Sequence, residues 1–213
     1  MNGIVLFGDV IRSRRDSPGS TSWLRALAAE LGAAYSPSER LASFDFTQGD
    51  ELQGLLDASV DPVGAVVRGW LHPARRPMRW VVVSGSVDPG EGPATQRTGD
   101  AFLRARDLLS IATTRRDGLL MATGDSDTDR LLDGLAPLLP ELLADLTPRQ
   151  RIIARLILVD GLKRSEAAET LNVSRATISV AADRAHVRAI GRLATSLWTI
   201  FAAGQEAAQL NDG

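Results

Sequence analysis

The sequence predicts an α+β protein: a ferredoxin-like domain on an antiparallel sheet, followed by an all-α helix-turn-helix domain. Three observations carry that expectation. Over the first half, strand-like and helix-like apolar patterns follow one another as β-α-β-β-α-β, the split-βαβ order. From 147 to 190 the chain reads instead as short helices joined by tight turns. Charge is also divided: residues 148–192 hold nine Lys/Arg against four Asp/Glu, whereas the residues up to Thr147 hold fifteen against twenty. The net charge of −2 over 213 residues averages these two regions. An acidic body joined to a basic arm is the distribution expected when only the arm meets a polyanion.

The first strand is the apolar run Ile4-Val5-Leu6-Phe7, ended by Gly8-Asp9. A continuous run of this kind suits a central strand covered on both faces, with an aspartate at its tip. An arginine-rich connection leads to an amphipathic helix over 22–35, with Leu24, Leu27, Ala28 and Leu31 on one face. Alternation over 41–47 predicts a second strand, Gln48-Gly49-Asp50-Glu51 a turn, and 52–56 a third strand, together a hairpin with carboxylates at its tip. Pro62 opens a helix to Leu71, and the prolines at 73 and 77 end it. Trp80-Val81-Val82-Val83 marks a buried strand over 79–87. A Gly/Pro-rich loop over 89–98 precedes a helix over 99–112 and a short strand over 119–122. Residues 125–145 are helical but interrupted by Pro137 and Pro140, and serve as a linker. The expected divisions are therefore 1–124, a linker over 125–145, a DNA-binding domain over 146–192 and a terminal helix over 193–213. That last helix carries Leu193, Leu197, Ile200 and Phe201 on one face with Trp198 beside them. Such a face packs on its own protein or on a second copy, so a homodimer is expected.

Within the arm, Thr147 caps a helix with Pro148 at its first position and Gln150 completing a capping box. Ile152, Ile153, Leu156 and Ile157 follow at helical spacing, and Asp160-Gly161 ends the helix. Ser165 caps a second helix to Leu171, Asn172-Val173 turns, and Ser174 caps a third, basic helix from Arg175 to about Ile190. Helix, short turn, helix is the geometry that lays a second helix in a DNA major groove. Arg175, Thr177 and Ser179, with Ser174, stand where side chains reach base edges or phosphates. Lys163, Arg164, Arg184, Arg188 and Arg149 suit phosphate contacts or a solvated face. A helical hairpin that only packs or dimerises is the alternative.

Composition excludes other classes. There is no cysteine, hence no disulfide, thiolate metal site or cysteine nucleophile. No run of about 18 apolar residues exists, so no membrane partner is expected. The start Met1-Asn2-Gly3-Ile4 enters a strand without a signal-peptide layout, which predicts a cytoplasmic protein. His72 and His186 are isolated, and the four tryptophans fall on apolar faces.

The two acidic tips, Asp9 and Asp50-Glu51, converge if the hairpin lies beside the first strand. Converging carboxylates hold hard cations, and Mg²⁺ commonly uses one or two of them together with substrate phosphates. Turn-capping roles for the same aspartates remain open.

Two resemblances add to this reading. Leu146-Thr147-Pro148-Arg149-Gln150-Arg151, then Ala167-Ala168-Glu169-Thr170-Leu171-Asn172-Val173-Ser174 and Ala176-Thr177-Ile178, resemble the helix-turn-helix of sigma factor region four and response regulators. Asn172 stands where glycine is more usual. Gly8-Asp9-Val10-Ile11-Arg12-Ser13-Arg14, Gly49-Asp50-Glu51-Leu52-Gln53-Gly54-Leu55-Leu56, and Gly99-Asp100-Ala101-Phe102 with Ala105-Arg106 resemble the SatD family. In order and spacing they are similar, more distantly, to the class III nucleotidyl cyclase palm. That resemblance implies a palm-like sheet, Mg²⁺ on Asp9 and Asp50 with Glu51 beside them, and a bound nucleotide. Its phosphates would fall to Ser13, Arg14, Arg104 and Arg106, with Arg97 an alternative cation. Cyclases place an Asn and then an Arg on the helix after the last motif; here the Asn position falls near Leu103 and Arg106 is one residue off register. The expectation is therefore ligand binding rather than turnover, with no catalytic residue assigned. The expected function is a DNA-binding transcription regulator that takes a nucleotide as its signal. An active cyclase or related phosphoryl-transfer enzyme with a DNA-binding tail is the alternative. A sigma-like factor that binds core RNA polymerase is a third reading, against which the sequence shows no second sigma-like region.

Overall fold

The computed structural model describes residues 1–11, 17–47 and 50–211, with side chains in the second stretch from Thr21 onward. Five strands form one mixed sheet among these residues, in the order β2-β3-β1-β4-β5: β1 Asn2–Val10, β2 Arg40–Phe46, β3 Glu51–Asp57, β4 Met78–Ser86 and β5 Leu119–Ala122. The first four strands are antiparallel neighbours in the split-βαβ order. β5 departs from the expected antiparallel sheet, because it pairs parallel to β4, Trp80 opposite Leu119 through Val83 opposite Ala122. The cause is the crossover helix α3, Asp100–Arg115, which returns the chain to the starting edge of β4.

Both faces of the sheet are covered, which explains the unbroken apolar run of β1. Ile4 and Leu6 point into a large core with Trp80 and Val82, under helices α1 Ser17–Ala34 and α2 Val63–Leu71. Val5 and Phe7 point the other way, with Val81, Val83 and Leu55, against Ala101, Phe102 and Ala105 of α3. Gly54 in β3 is required by packing: a β-carbon there would run into the Phe44 ring. α1 starts earlier than its amphipathic pattern suggests, and β1 extends past Gly8 to Val10, so Asp9 is a ladder residue rather than a residue beyond the strand.

The helical region continues as α4 Ser126–Leu135, α5 Leu138–Ala144, α6 Pro148–Leu158, α7 Arg164–Thr170, α8 Arg175–Arg184 and α9 Val187–Asn211. Pro140 lies in the first turn of α5, where its missing N–H breaks no helical bond. The Thr147 capping box forms as expected, with Gln150 N donating to Thr147 Oγ1 at 3.3 Å and Thr147 N to Gln150 Oε1 at 2.9 Å. The expected cap at Ser165 is displaced. Lys163 precedes α7, and its N–H donates to the Glu166 carboxylate at 2.7 Å.

Two further boundaries differ. The expected third helix does not run to Ile190. His186 takes a left-handed conformation (φ 51°), ending α8 at Arg184 and starting a new axis at Val187. α9 is then one helix through Asn211, so the expected division at 192 falls inside it. Its apolar face is used within the chain: Leu197 and Phe201 are fully buried, and Leu193, Trp198 and Ile200 pack partly buried on the same core.

The arm is docked on the body. One core runs from the sheet through Leu139 and Leu143 to Ile153, Ala167, Ile178 and Ile190. At the seam Glu30 of α1 accepts from Arg155 of α6 at 2.9 Å, with Arg68 Nη1 3.6 Å away. His72, which ends α2, is buried. Its Nδ1 accepts from Trp23 Nε1 at 3.1 Å and from Ala74 N at 3.2 Å, which puts its ring proton on Nε2, 3.7 Å from Glu30. Burial holds its pKa below the usual histidine value.

Candidate functional site

The arm presents α8 as the candidate reader helix. α7 and α8 are joined by a turn in which Asn172 has φ 51°, a conformation asparagine tolerates, and Val173 N donates to Ala168 O at 3.0 Å. Arg164 of α7 donates to Asp183 of α8 at 2.7 Å, locking the two helices together. Ser174 caps α8: its Oγ accepts from Thr177 N at 3.1 Å and lies 2.8 Å from Thr177 Oγ1. Ser174 and Arg164 therefore serve the motif's own geometry first. Arg175, Thr177 and Arg184 are exposed, Ser179 is half-buried, and Ile178 and Ala182 turn inward to the core. Lys163 is exposed just before α7. Arg188 is exposed too, but it belongs to α9, beyond the break at His186, and not to the reader helix.

A groove between the start of α6 and the outer face of α8 was not anticipated. It is lined by Arg149, Ala176, Thr177, Val180 and Arg184. Val180 is 51% exposed, and Ile152, placed by its spacing on an inner face, is 52% exposed. Ala176 and Val180 are one helical turn apart, an apolar strip flanked by guanidinium groups. Apolar side chains suit thymine methyls and guanidinium groups suit phosphates or guanine edges.

The body brings carboxylates together at the other candidate site. In the β-ladders Asp9 stands opposite Glu51 on one side and Arg79 on the other. Val10 N donates to Asp50 O at 2.9 Å, which places the hairpin tip beside the end of β1. Burial and then the nearby Asp50 push the Asp9 carboxyl up to about 6; Glu51 adds to the rise and Arg79 opposes it. Arg79 Nη1 lies 3.5 Å from Asp9 Oδ2, and its Nε is buried without a hydrogen-bond partner. Glu51 accepts from the Gln53 side chain. Among the described residues no group of three or more Asp, Glu or His is arranged to hold a metal ion.

The expected phosphate contacts divide three ways. Ser13 and Arg14 lie outside the described residues. Arg106 is exposed on α3, and Leu103, at the position where cyclases carry Asn, is 65% exposed on the same helix. Arg104 donates to Ser84 O at 3.2 Å. Ser84 pairs with Ile4, whereas Asp9 pairs with Arg79, five residues farther along the ladder and roughly 17 Å away. Arg104 therefore does not reach the carboxylates. Arg97 is buried and holds the loop before α3 through Leu41 O at 3.2 Å and Asp88 O at 3.1 Å. Among the described residues, Arg79 is the cation paired with Asp9. The sequence hid it, because only the β1–β4 register makes the two residues neighbours.

No helix among the described residues is long and apolar enough to cross a membrane. No family model matches the chain. No curated protein matches it either. A crystal structure of a regulator of polyketide synthase expression from Bifidobacterium adolescentis aligns with 97% of this chain and 80% of its own, at 17% identity and a TM-score of 0.26. A likeness of that size bears on neither the fold nor the function of this chain.

Proposed function

We propose that this protein is a DNA-binding transcription regulator acting in the cytoplasm, with duplex DNA read by α8. The observation that carries the reading is the exposed outer face of a capped helix-turn-helix, with Arg175, Thr177 and Val180 outward and Ile178 and Ala182 inward. Arg149, Lys163, Arg184 and Arg188 are exposed around it and supply phosphate contacts. A two-fold dimer would place two such helices about 34 Å apart on one face of a duplex. Because the apolar face of α9 is used internally, that dimer would form through another surface.

The test is duplex selection from a random pool, followed by anisotropy titration at several salt concentrations. Affinity should fall with salt as counterions are released. Arg175→Ala should cost about 1–3 kcal/mol on the selected site and relax the choice of one base pair. Duplex binding that ignores both salt and Arg175→Ala would sink the reading.

A second reading concerns the signal. Asp9, Asp50 and Glu51 lie within electrostatic reach of one another, and the half-buried Asp9 is pushed up to about 6, a charge cluster that a cation would relieve. Asp9 and Asp50 would hold Mg²⁺, which neutralises phosphate charge, and Arg79 would meet the phosphates of a nucleotide. Thermal shifts with ATP, GTP and cyclic nucleotides, each with and without Mg²⁺, test this. A magnesium-dependent shift that disappears in Asp50→Ala is the expected result. Product formation from ATP or GTP, abolished by the same substitution, would instead favour an active phosphoryl-transfer enzyme.

A further inference from the structure

We propose that the cleft at the carboxyl ends of β4 and β5 binds a small, non-aromatic oxyanion carrying hydroxyl or amine groups, and that α9 carries its occupancy to the reader helix. The cleft lies at the far end of the sheet from Asp9, and its volume is about 550 Å³. That lies within the range of small-molecule sites. Crevices outside the carboxyl ends of parallel strands are where α/β sheets receive ligands, and β4–β5 is the parallel pair here.

The lining sets the ligand class. Arg104 reaches into the cleft from α3 and gives one hydrogen bond to Ser84 O. Among the described residues it forms no ion pair with a carboxylate, so its remaining donors suit an oxyanion. Gly85 and Gly124 leave the guanidinium uncovered: a β-carbon at either would sit 3.4 Å from its nitrogen. Asp129, although it lines the cleft, is taken up by its own loop. It accepts from Thr123 N at 2.6 Å, Thr123 Oγ1 at 2.8 Å and Gly124 N at 3.2 Å. The exposed carboxylate of Asp100 and the polar groups of Ser86 and Gln209 then call for donors on the ligand body. Among the described residues no aromatic ring lines the cleft, so a nucleobase has nothing to stack on there.

α9 ties this cleft to the arm. Gln205 is buried, accepts from Ser84 Oγ at 2.7 Å and donates to Ala58 O at 3.2 Å. At Gly204 the helix lies so close to the loop before α4 that a β-carbon would stand 2.7 Å from Thr123 Oγ1. From Gln205 back to Val187 α9 runs eighteen residue steps, roughly 27 Å, and only Ala185 and His186 separate Val187 from the end of α8. A ligand bridging Arg104 and the last turns of α9 would add to the contacts that already hold this end of the helix to the sheet. It shifts the reader helix only as far as it binds two positions of α9 differently.

The test uses the full chain in calorimetric titrations with inorganic phosphate, glycerol 3-phosphate and L-glutamate, which separates a phosphate head from a carboxylate. The expected result is saturable binding of at least one organic probe, at least tenfold weaker in Arg104→Gln and partly restored in Arg104→Lys. Ala208→Leu, which fills the cleft while keeping the Arg104 residue, should also abolish it. Bound probe should slow amide exchange at both ends of α9. Failure of all three probes to saturate, or binding indifferent to both Arg104→Gln and Ala208→Leu, would overturn the site. Binding that leaves exchange at 187–192 unchanged would overturn the transmission. Neither result touches the DNA-binding reading, which fails separately if no duplex is bound.

Discussion

The body and the arm are built from different side chains, and the difference shows how each holds its shape. The body buries Trp80, Phe7, Leu24, Leu27, Leu55 and Leu56 completely, on two faces of a five-stranded sheet. The inner face of the helix-turn-helix is mostly small: Ala167, Ala168, Ala182 and Ala185 around Ile178. Alanines allow α7 and α8 to approach closely but bury little area each. The arm is therefore stabilised largely by what it leans on, through Leu139, Leu143, Ile190, Leu197 and Phe201. A basic arm hinged freely on an acidic body is the simplest picture from charge; a rigid mount is what the packing makes.

The largest effect that tests this contrast is Phe201→Ala. Removing a fully buried ring from the strut should cost about 3–5 kcal/mol and lower the stability of body and arm together. Chemical denaturation followed by tryptophan fluorescence and by far-ultraviolet dichroism should give coincident transitions in the wild type and in the variant. Two separated transitions would show that the arm folds on its own.

Next is the seam. Glu30→Ala removes the carboxylate that Arg155 and Arg68 share in a half-buried position, leaving Arg155 only Asp160 at 3.9 Å, and should cost about 1–3 kcal/mol. Glu30→Gln, which keeps an acceptor, should cost less. Equal and negligible losses in both would mean that apolar contact alone holds the arm.

The carboxylate end should respond in the opposite direction. Asp9 has a folded-state pKa raised to about 6 from 3.8. The folded protein thus binds a proton more tightly than the unfolded chain, and ionisation as pH rises through about 6 removes stability. Asp9→Asn should therefore stabilise the protein at pH 7–8 by about 1–2 kcal/mol. The gain should shrink as pH falls through about 6 and disappear below about pH 3, where both states are protonated. A pH-independent gain would mean that burial and Asp50 are not its cause. The smallest effect is Ser174→Ala, the loss of the α8 cap, at about 1 kcal/mol. It should weaken duplex binding along with stability and leave the body's packing unchanged.

Much of this was legible in the order of residues, because the signals are local. The strand run at Ile4-Phe7, the Thr147 capping box, the glycine stop at Gly161 and the left-handed Asn172 depend on a residue and its near neighbours. The same holds for the aspartates near the ends of β1 and the hairpin, whose proximity follows from the split-βαβ order. What could not be read depended on register or on distant contacts. Arg79 meets Asp9 only through the β1–β4 ladder, and Arg104 is turned to Ser84 by the path of α3. The break at His186 was invisible because Ala185-His186-Val187 contains neither glycine nor proline. Gln205 reads as a surface residue until Ser84, far away in the chain, is placed against it.

By itself, then, the sequence determined the α+β division, the strand order of the first half, the helix-turn-helix with its caps at Thr147 and Ser174, and the opposite charges of body and arm. Periodicity, capping and composition act over a few residues, and they survive without knowledge of the fold. The tertiary structure alone decided the parallel fifth strand, the separation of Arg104 from the carboxylates, the continuity of α9 and the docking of the arm. Each of these depends on which surface remains free to cover another after the local elements form, and burial of apolar area is non-directional until packing gives it a direction.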